Sequence, residues 1–354
     1  MQTLDDWDPL DDQEELVYLQ NSGLRLYHHC KYGNVDVVKR LLRDTQINVN
    51  WEDDSGWTPF FVACGFLQLE IMELLMKDER VDLNRTSWLG WTPFCASCLN
   101  GYTHVVEMLL NDERIDVKKE DNKGQTPFYI ACAHGYTEIV KLLLNDKRID
   151  VIQAKKNGET PFYSACENGY IEIVELLIND KRVDINKANS VGWTPFFAAC
   201  DRGHVEVVKL LLACGGEVDL NIKNNEGETA IETAKKNEKE GKSPWETESH
   251  FEERKRVWKN MIEFIELFER NPIETRIRLG IQFGLAGLFI YLFIYLLFIY
   301  LQKINIFFFK KKKNISRSQC CFSLHNDGTP FRQFFVFEKP LNSLFLFFFL
   351  TMYS

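Results

Sequence analysis

The sequence lacks an excess of positive charge, a basic start and a glycine-rich phosphate loop, and each absence removes a class of function. Against 51 Asp and Glu there are 42 Lys and Arg, a formal net charge of −9 over 354 residues. Binding to phosphate backbones needs a basic footprint, so no nucleic-acid partner is expected. The first fifteen residues hold Asp5, Asp6, Asp8, Asp11, Asp12, Glu14 and Glu15 and no base. A secretory signal peptide needs a positive start followed by an apolar stretch, which this one does not offer. The ten cysteines are therefore expected as thiols in a reducing, cytoplasmic setting. Also missing are an HxxH-type pair and a nucleophile elbow. No catalytic residue, metal ligand, cofactor or small-molecule substrate is expected.

What is present is a repeat. Thr-Pro occurs at Thr58-Pro59, Thr92-Pro93, Thr126-Pro127, Thr160-Pro161 and Thr194-Pro195, 34 residues apart each time. A degenerate copy stands at Thr229-Ala230, one residue late, and 34 residues before Thr58 lies Leu24 in LRLYHHCKYGNVDVVKRLL. A period of this length denotes stacked supersecondary units. Within each unit Thr followed by Pro is a helix N-cap followed by N1, where the hydroxyl accepts an orphan amide and proline loses no helical bond. The first helix, PFYSACEN in one unit, stops at a glycine such as Gly169, suited to the left-handed position. In the second, YIEIVELLIND, an amphipathic stripe of Ile171, Val174, Leu177 and Ile178 is expected. An Asp-containing turn and a glycine before the next Thr supply a protruding connection. Neither short helix can bury its apolar side alone, so neighbours must stack. The expected fold is all-α: a solenoid of helix-turn-helix units with hairpin-like turns.

The phrases TPFFVAC, TPFCASC, TPFYIAC, TPFYSAC and TPFFAAC, each followed by a GHVEVVKLLL-type helix, resemble the TPLHLAA signature of ankyrin-repeat proteins. The resemblance covers about residues 24–270, with units near 24–55, 56–89, 90–123, 124–157, 158–191 and 192–226 and a capping unit at 227–270. Residues 1–23 read as an acidic leader, and the second helix of the capping unit is expected over 251–270 with Val257, Met261, Ile262, Ile265 and Phe268 inward. Two departures stand out. The family's His is Phe61, Cys95, Tyr129, Tyr163 and Phe197 here, so aromatic packing is expected to replace its hydrogen bonds between repeats. Leu67 occupies a position held elsewhere by Gly, where it should strain the turn.

Three ladders of reactive residue types are expected to serve the fold. Cys30, Cys64, Cys98, Cys132, Cys166 and Cys200 recur at one position. Neighbouring helices lie roughly 8–10 Å apart, too far for a disulfide, so these thiols are expected in the core. Asp82, Asp116, Asp150 and Asp184 are expected to cap their own turns, and Arg80, Arg114, Arg148 and Arg182 to lie at the surface. His104, His134 and His204 sit at different repeat positions and share no site.

The resemblance implies a protein partner bound by the turn tips and the concave face. Carried over position by position, it selects Trp57, Phe66, Trp88, Leu89, Trp91, Leu99, Asn100, Gln125, His134, Glu159, Trp193 and Arg202. Phe66, Trp88, Leu89, Trp91 and Leu99, with Trp57, are expected to form one apolar cluster on adjacent units. Exposed indoles there would suit a binding hot spot; the alternative is that some of these rings only cover the hairpin stems.

Past a linker at 271–280, the run 281–301 has no charge over 21 positions and is long enough to span a membrane as a tether. Residues 302–354 are rich in Lys and Phe. The bias of this tail also resembles translated AT-rich noncoding DNA. Basic residues beyond 301 favour a cytoplasmic tail, whereas the acidic leader and free thiols favour cytoplasmic repeats. The function expected is a non-catalytic interaction scaffold, the alternative being the cytosolic part of a channel or transporter-like protein.

Overall fold

The computed structural model describes residues 21–213, 218–241, 243 and 246–283, all within one compact unit, Met1–Tyr295. Residues 1–20 and 284–354, and with them nearly all of the run 281–301, lie outside the described residues. Among the described residues no helix is long and apolar enough to cross a membrane, and none belongs to a β-strand.

The described helices form an inner row, α1 (Ser22–Lys31), α3 (Pro59–Gly65), α5 (Pro93–Leu99), α7 (Pro127–Ala133), α9 (Pro161–Asn168), α11 (Pro195–Asp201) and α13 (Ala230–Lys239). The outer row is α2 (Val35–Leu42), α4 (Leu69–Met76), α6 (Thr103–Leu110), α8 (Thr137–Leu144), α10 (Ile171–Ile178) and α12 (Val205–Ala213), closed by α14 (Glu248–Arg270) and α15 (Pro272–Gln282). Each inner helix packs on the next inner helix as well as on its own outer partner.

Capping sets the starts. The hydroxyls of Thr58, Thr92, Thr126, Thr160 and Thr194 each accept the amide three residues on, at 3.0–3.1 Å. All five are buried, with proline behind them at the first helical position. The first unit has no Thr-Pro, and its helix starts earlier than the Leu24 register, with Asn21 accepting the Leu24 amide at 3.0 Å. Without a proline at 25, the helix extends backwards by most of a turn. Thr229 forms a reciprocal capping box with Glu232.

One core runs the length of both rows. Outer helices bury Ile71, Met72 and Leu75, then Val105, Val106 and Leu109, then Ile139, Val140 and Leu143. In α10 the stripe centres on Ile173, Val174 and Leu177, while Ile171 and Ile178, expected within it, are half-buried at its edges. Each such side chain gives roughly 1.5–3 kcal/mol on burial. The cysteine ladder lies fully inside: Cys30, Cys64, Cys98, Cys132, Cys166 and Cys200 are free thiols with no exposed surface. In α14, Met261, Ile262, Ile265 and Phe268 point inward, whereas Val257 is only half-buried.

The arginine ladder is more than surface charge. Arg80, Arg114 and Arg148 each clasp the aspartate two residues before, at 2.6–2.7 Å, and donate to backbone carbonyls in the preceding repeat. The acceptors are Leu42 and Asp44 at 2.9 Å, Met76 at 2.6 Å and Leu110 at 2.7 Å. Leu42, Met76 and Leu110 are last residues of outer helices, whose carbonyls have no partner within the helix and whose negative dipole end favours a cation. The guanidinium thus joins consecutive repeats. Its hydrogen bonds hold the carboxyls of Asp78, Asp112 and Asp146 below the usual range. A depressed carboxyl stabilises the fold above its unfolded value of about 4 and loses that contribution as pH falls through the folded value. Arg182 keeps its partner Asp180 at 2.5 Å. Asp82, Asp116, Asp150 and Asp184 do cap their own turns, each accepting the amide two residues on.

Within 271–280, expected as a linker, all but Asn271 belongs to helix α15. Pro272 opens it at the first position, and it buries Thr275, Leu279 and Gly280 against α12 and α14.

Leu67 is the one non-glycine residue with positive φ among the described residues, at 59°. Its counterparts Gly33, Gly101, Gly135, Gly169 and Gly203 have φ of 74–78°. The side chain is 48% exposed, so packing does not offset the strain. Leu67→Gly should raise stability by about 1 kcal/mol, the cost of a side chain in that region; an unchanged or lower urea midpoint would show the strain to be absent.

Candidate protein-binding surface

The turns between repeats stand out as fingers, and their bases share a motif. Five residues before each capping Thr stand Asp53, Asp121, Asn189 and Asn224, each accepting two backbone amides of its own finger at 2.8–3.1 Å. Ser87 and Lys155 hold the position elsewhere. A short polar side chain bonding its own backbone is the Asx-turn device. A glycine with φ of 76–83° closes each finger.

The fingers are tied together at their tips. Backbone amides of Trp88, Asn122, Lys156, Ser190 and Asn225 donate to the carbonyls of Ser55, Leu89, Lys123, Asn157 and Val191 in the finger before, at 2.9–3.2 Å. They are tied again at their bases by a side chain from the preceding inner helix or stem. Tyr27 donates to Asp53 at 2.8 Å, and the Trp91 indole to Asp121 at 3.3 Å. Tyr129 donates to Glu159, and Tyr163 accepts from Asn189, both at 3.3 Å. Tyr129 and Tyr163 therefore keep hydrogen bonds between repeats, where packing alone was expected. Where the position is apolar, an indole one residue before Thr covers it. Trp57 stacks on Phe61 at 5.3 Å and Trp193 on Phe197 at 4.8 Å. Trp91 packs with Cys95, Leu99, Tyr129, Ile130 and Ala133 in a small cluster apart from the main core. Gln125 and Glu159 stand at the same stem position in the two units with Tyr. Glu159 also pairs with Lys155 at 2.5 Å, whose ammonium sits 5.4 Å from the Tyr129 ring.

The cluster expected from Trp57, Phe66, Trp88, Leu89, Trp91 and Leu99 is divided in three. Trp57 and Trp91 are half-buried stem residues, Leu99 joining Trp91. Trp88 and Leu89 lie at the tip of the finger that leads into the third repeat, called the third finger below, 71% and 57% exposed. They occupy the turn closed by the Gly90 amide donating to the Ser87 carbonyl at 2.8 Å, whereas Trp91 lies on the returning arm, its carbonyl accepting from the Ser87 amide at 2.9 Å. Phe66, 47% exposed, faces Lys31, whose ammonium is 5.4 Å from its ring. Of the remaining positions, Asn100 is exposed at a helix end. His134 is exposed, with Nδ1 2.9 Å from the Ile130 carbonyl. Arg202 pairs with Glu167 at 3.0 Å, and Trp193 is half-buried. Asp53, Asp121, Asn189, Tyr27, Tyr129 and Tyr163 were not selected as a group from the sequence, although the Asp/Asn recurrence five residues before Thr was visible there.

The family described as "Ankyrin repeats (3 copies)" matches residues 26–121, 68–154, 113–189 and 181–241. The chain belongs to the ankyrin-repeat family. Among solved structures, the crystal structure of the ankyrin repeat domain of Bcl-3, described as a unique member of the IkappaB protein family, is 22% identical with a TM-score of 0.53. That likeness, which concerns the fold, covers 59% of this chain and 92% of that one. A comparison with curated protein sequences finds no match. Ankyrin repeats suggest a protein-interaction domain, and in this one Trp88 and Leu89 form an exposed apolar pair on one tip, with the single Val191 exposed on a later one.

The two kinds of tryptophan should separate in stability. Trp91→Ala removes a half-buried ring and should cost about 2 kcal/mol, whereas Trp88→Ala should stay within about 0.5 kcal/mol as a surface change. Equal effects in urea unfolding would contradict the division.

Proposed function

We propose that this ankyrin solenoid is a non-catalytic scaffold that receives an apolar or amphipathic segment of a protein partner at its third finger. The observation that carries the reading is the pair Trp88 and Leu89, exposed on a tip whose neighbours present Asp54, Ser55, Asn122, Lys123, Lys156 and Asn157. Backbone bonds on both sides, Trp88 to Ser55 and Asn122 to Leu89, hold the tip. A rigid exposed indole loses little entropy on binding and is the residue type most enriched at hot spots. We extend the proposed surface from this tip to stem residues Trp57 and Trp91, helix-end residues Asn100 and His134, and the more polar Gln125, Glu159, Trp193 and Arg202 of later units. A non-catalytic role is supported by the thiols: burial pushes Cys95 up to about 12 and raises Cys132 and Cys166 as well, and the reactive form is the thiolate. The uncharged run 281–301 supports a membrane tether beyond the solenoid.

The test is affinity capture with the full chain and with Trp88→Ala/Leu89→Ala. The partner retained by the native chain should bind the double variant at least 30-fold more weakly, about 2 kcal/mol, at an unchanged melting temperature. Undiminished binding would remove the third finger from the interface.

A further inference from the structure

Among the described residues no repeat stands before α1 and α2, and the first unit differs from the later ones. Helix α3, which follows a repeat, buries Pro59, Val62 and Ala63. The corresponding residues of α1, 34 positions earlier, are Arg25, His28 and His29, and all three are only half-buried. On the outer row the positions of Leu74, Met108, Leu176 and Leu210, all packed into the core, correspond to Arg40 in α2, which is exposed. Basic residues thus stand in the first unit where the later units carry apolar ones. Residues 22–43 carry five bases and one acid, in a chain that is acidic overall.

These bases differ from the arginines that join repeats. Among the described residues no ion pair links Arg25, Lys31, Arg40 or Arg43 to a carboxylate, whereas Lys39 pairs with Glu70 at 2.8 Å. The group is dense enough for its members to feel one another: Arg25, His28 and Arg40 each push the His29 pKa down, after burial itself. At its edge, Lys31 lies 5.5 Å from the Tyr32 ring and 5.4 Å from Phe66. Tyr32 stacks on His28 at 6.2 Å and is 59% exposed.

We propose that the acidic segment 1–20 docks on this basic face of α1 and α2, taking the place that a preceding repeat would occupy. Three observations select this occupant. It holds seven acids and no base, the complement of the face. It joins the described chain at Asn21, directly before α1, and twenty residues reach about 66 Å when extended against a helix of about 15 Å. It also carries Leu16, Val17 and Leu19, apolar side chains that the half-buried surround of His28 and His29 can accept. Covalent attachment gives it an effective concentration of about millimolar, which a second copy or a separate acidic protein must exceed to displace it.

The test is hydrogen exchange on the full chain. One variant replaces Asp5, Asp6, Asp8, Asp11, Asp12, Glu14 and Glu15 by Asn or Gln; a second carries Arg25→Gln and Arg40→Gln; a third combines both. Amides of α1 and α2 should exchange at least fivefold faster in the first two, with α7–α10 unchanged as the control for folding. The combined variant should show little further loss, because both sets remove the same contact. Unaltered exchange of α1 and α2 in the first variant would overturn the proposal. So would protection that disappears on dilution, which would assign the face to a second copy, or additive effects in the combined variant.

Discussion

A helix pair of this chain has nowhere to bury its apolar side except against another pair. Helices of seven or eight residues are too short to persist alone in water. The thirty-four-residue unit therefore contributes to stability only through its neighbours, and everything else in the structure either makes that stacking regular or ends it. Thr-Pro starts the five inner helices from α3 to α11 at the same point, so their faces meet in register. Cysteine fills the inner position because it is small and apolar, and burial removes the reactivity that would otherwise mark it.

Beyond burial, the joints are made by groups that cross from one repeat to the next. The guanidinium of Arg80, Arg114 or Arg148 reaches back to the open end of the previous outer helix, and the fingers are linked amide to carbonyl at their tips. Tyr27, Trp91, Tyr129 and Tyr163 bond the base of the next finger. The finger stems along the inner row consequently alternate: an indole over an apolar neighbour in some units, a tyrosine with a polar stem residue in others. A partner lying along them would meet both kinds of surface, next to one apolar tip.

The helices were legible in the sequence because their signals are local and repeated: the cap, the proline, the terminal glycine and the apolar period. The strain at Leu67 was legible for the same reason, as one departure in an otherwise constant column. The arginine joints were not, since the acceptor is a backbone carbonyl 38 residues earlier that carries no letter of its own. The surface was half legible. Exposed Trp88 and Leu89 were selected, but Trp57 and Trp91 were grouped with them. Turn and returning arm lie only two or three residues apart in sequence, yet one faces solvent and the other covers an inner helix. The 271–280 segment was misread because the uncharged run after it dominates any reading by hydropathy.

The central claim is that repeats are held by joints as well as by stacked faces, and that these joints are nearest-neighbour terms. Urea unfolding of Arg148→Ala tests it most directly. Removing the bond to Leu110 and the pair with Asp146 should lower stability by about 1–2 kcal/mol and broaden the transition, since coupling is weakened between the third and fourth repeats. A midpoint and slope identical to the native chain would contradict the account.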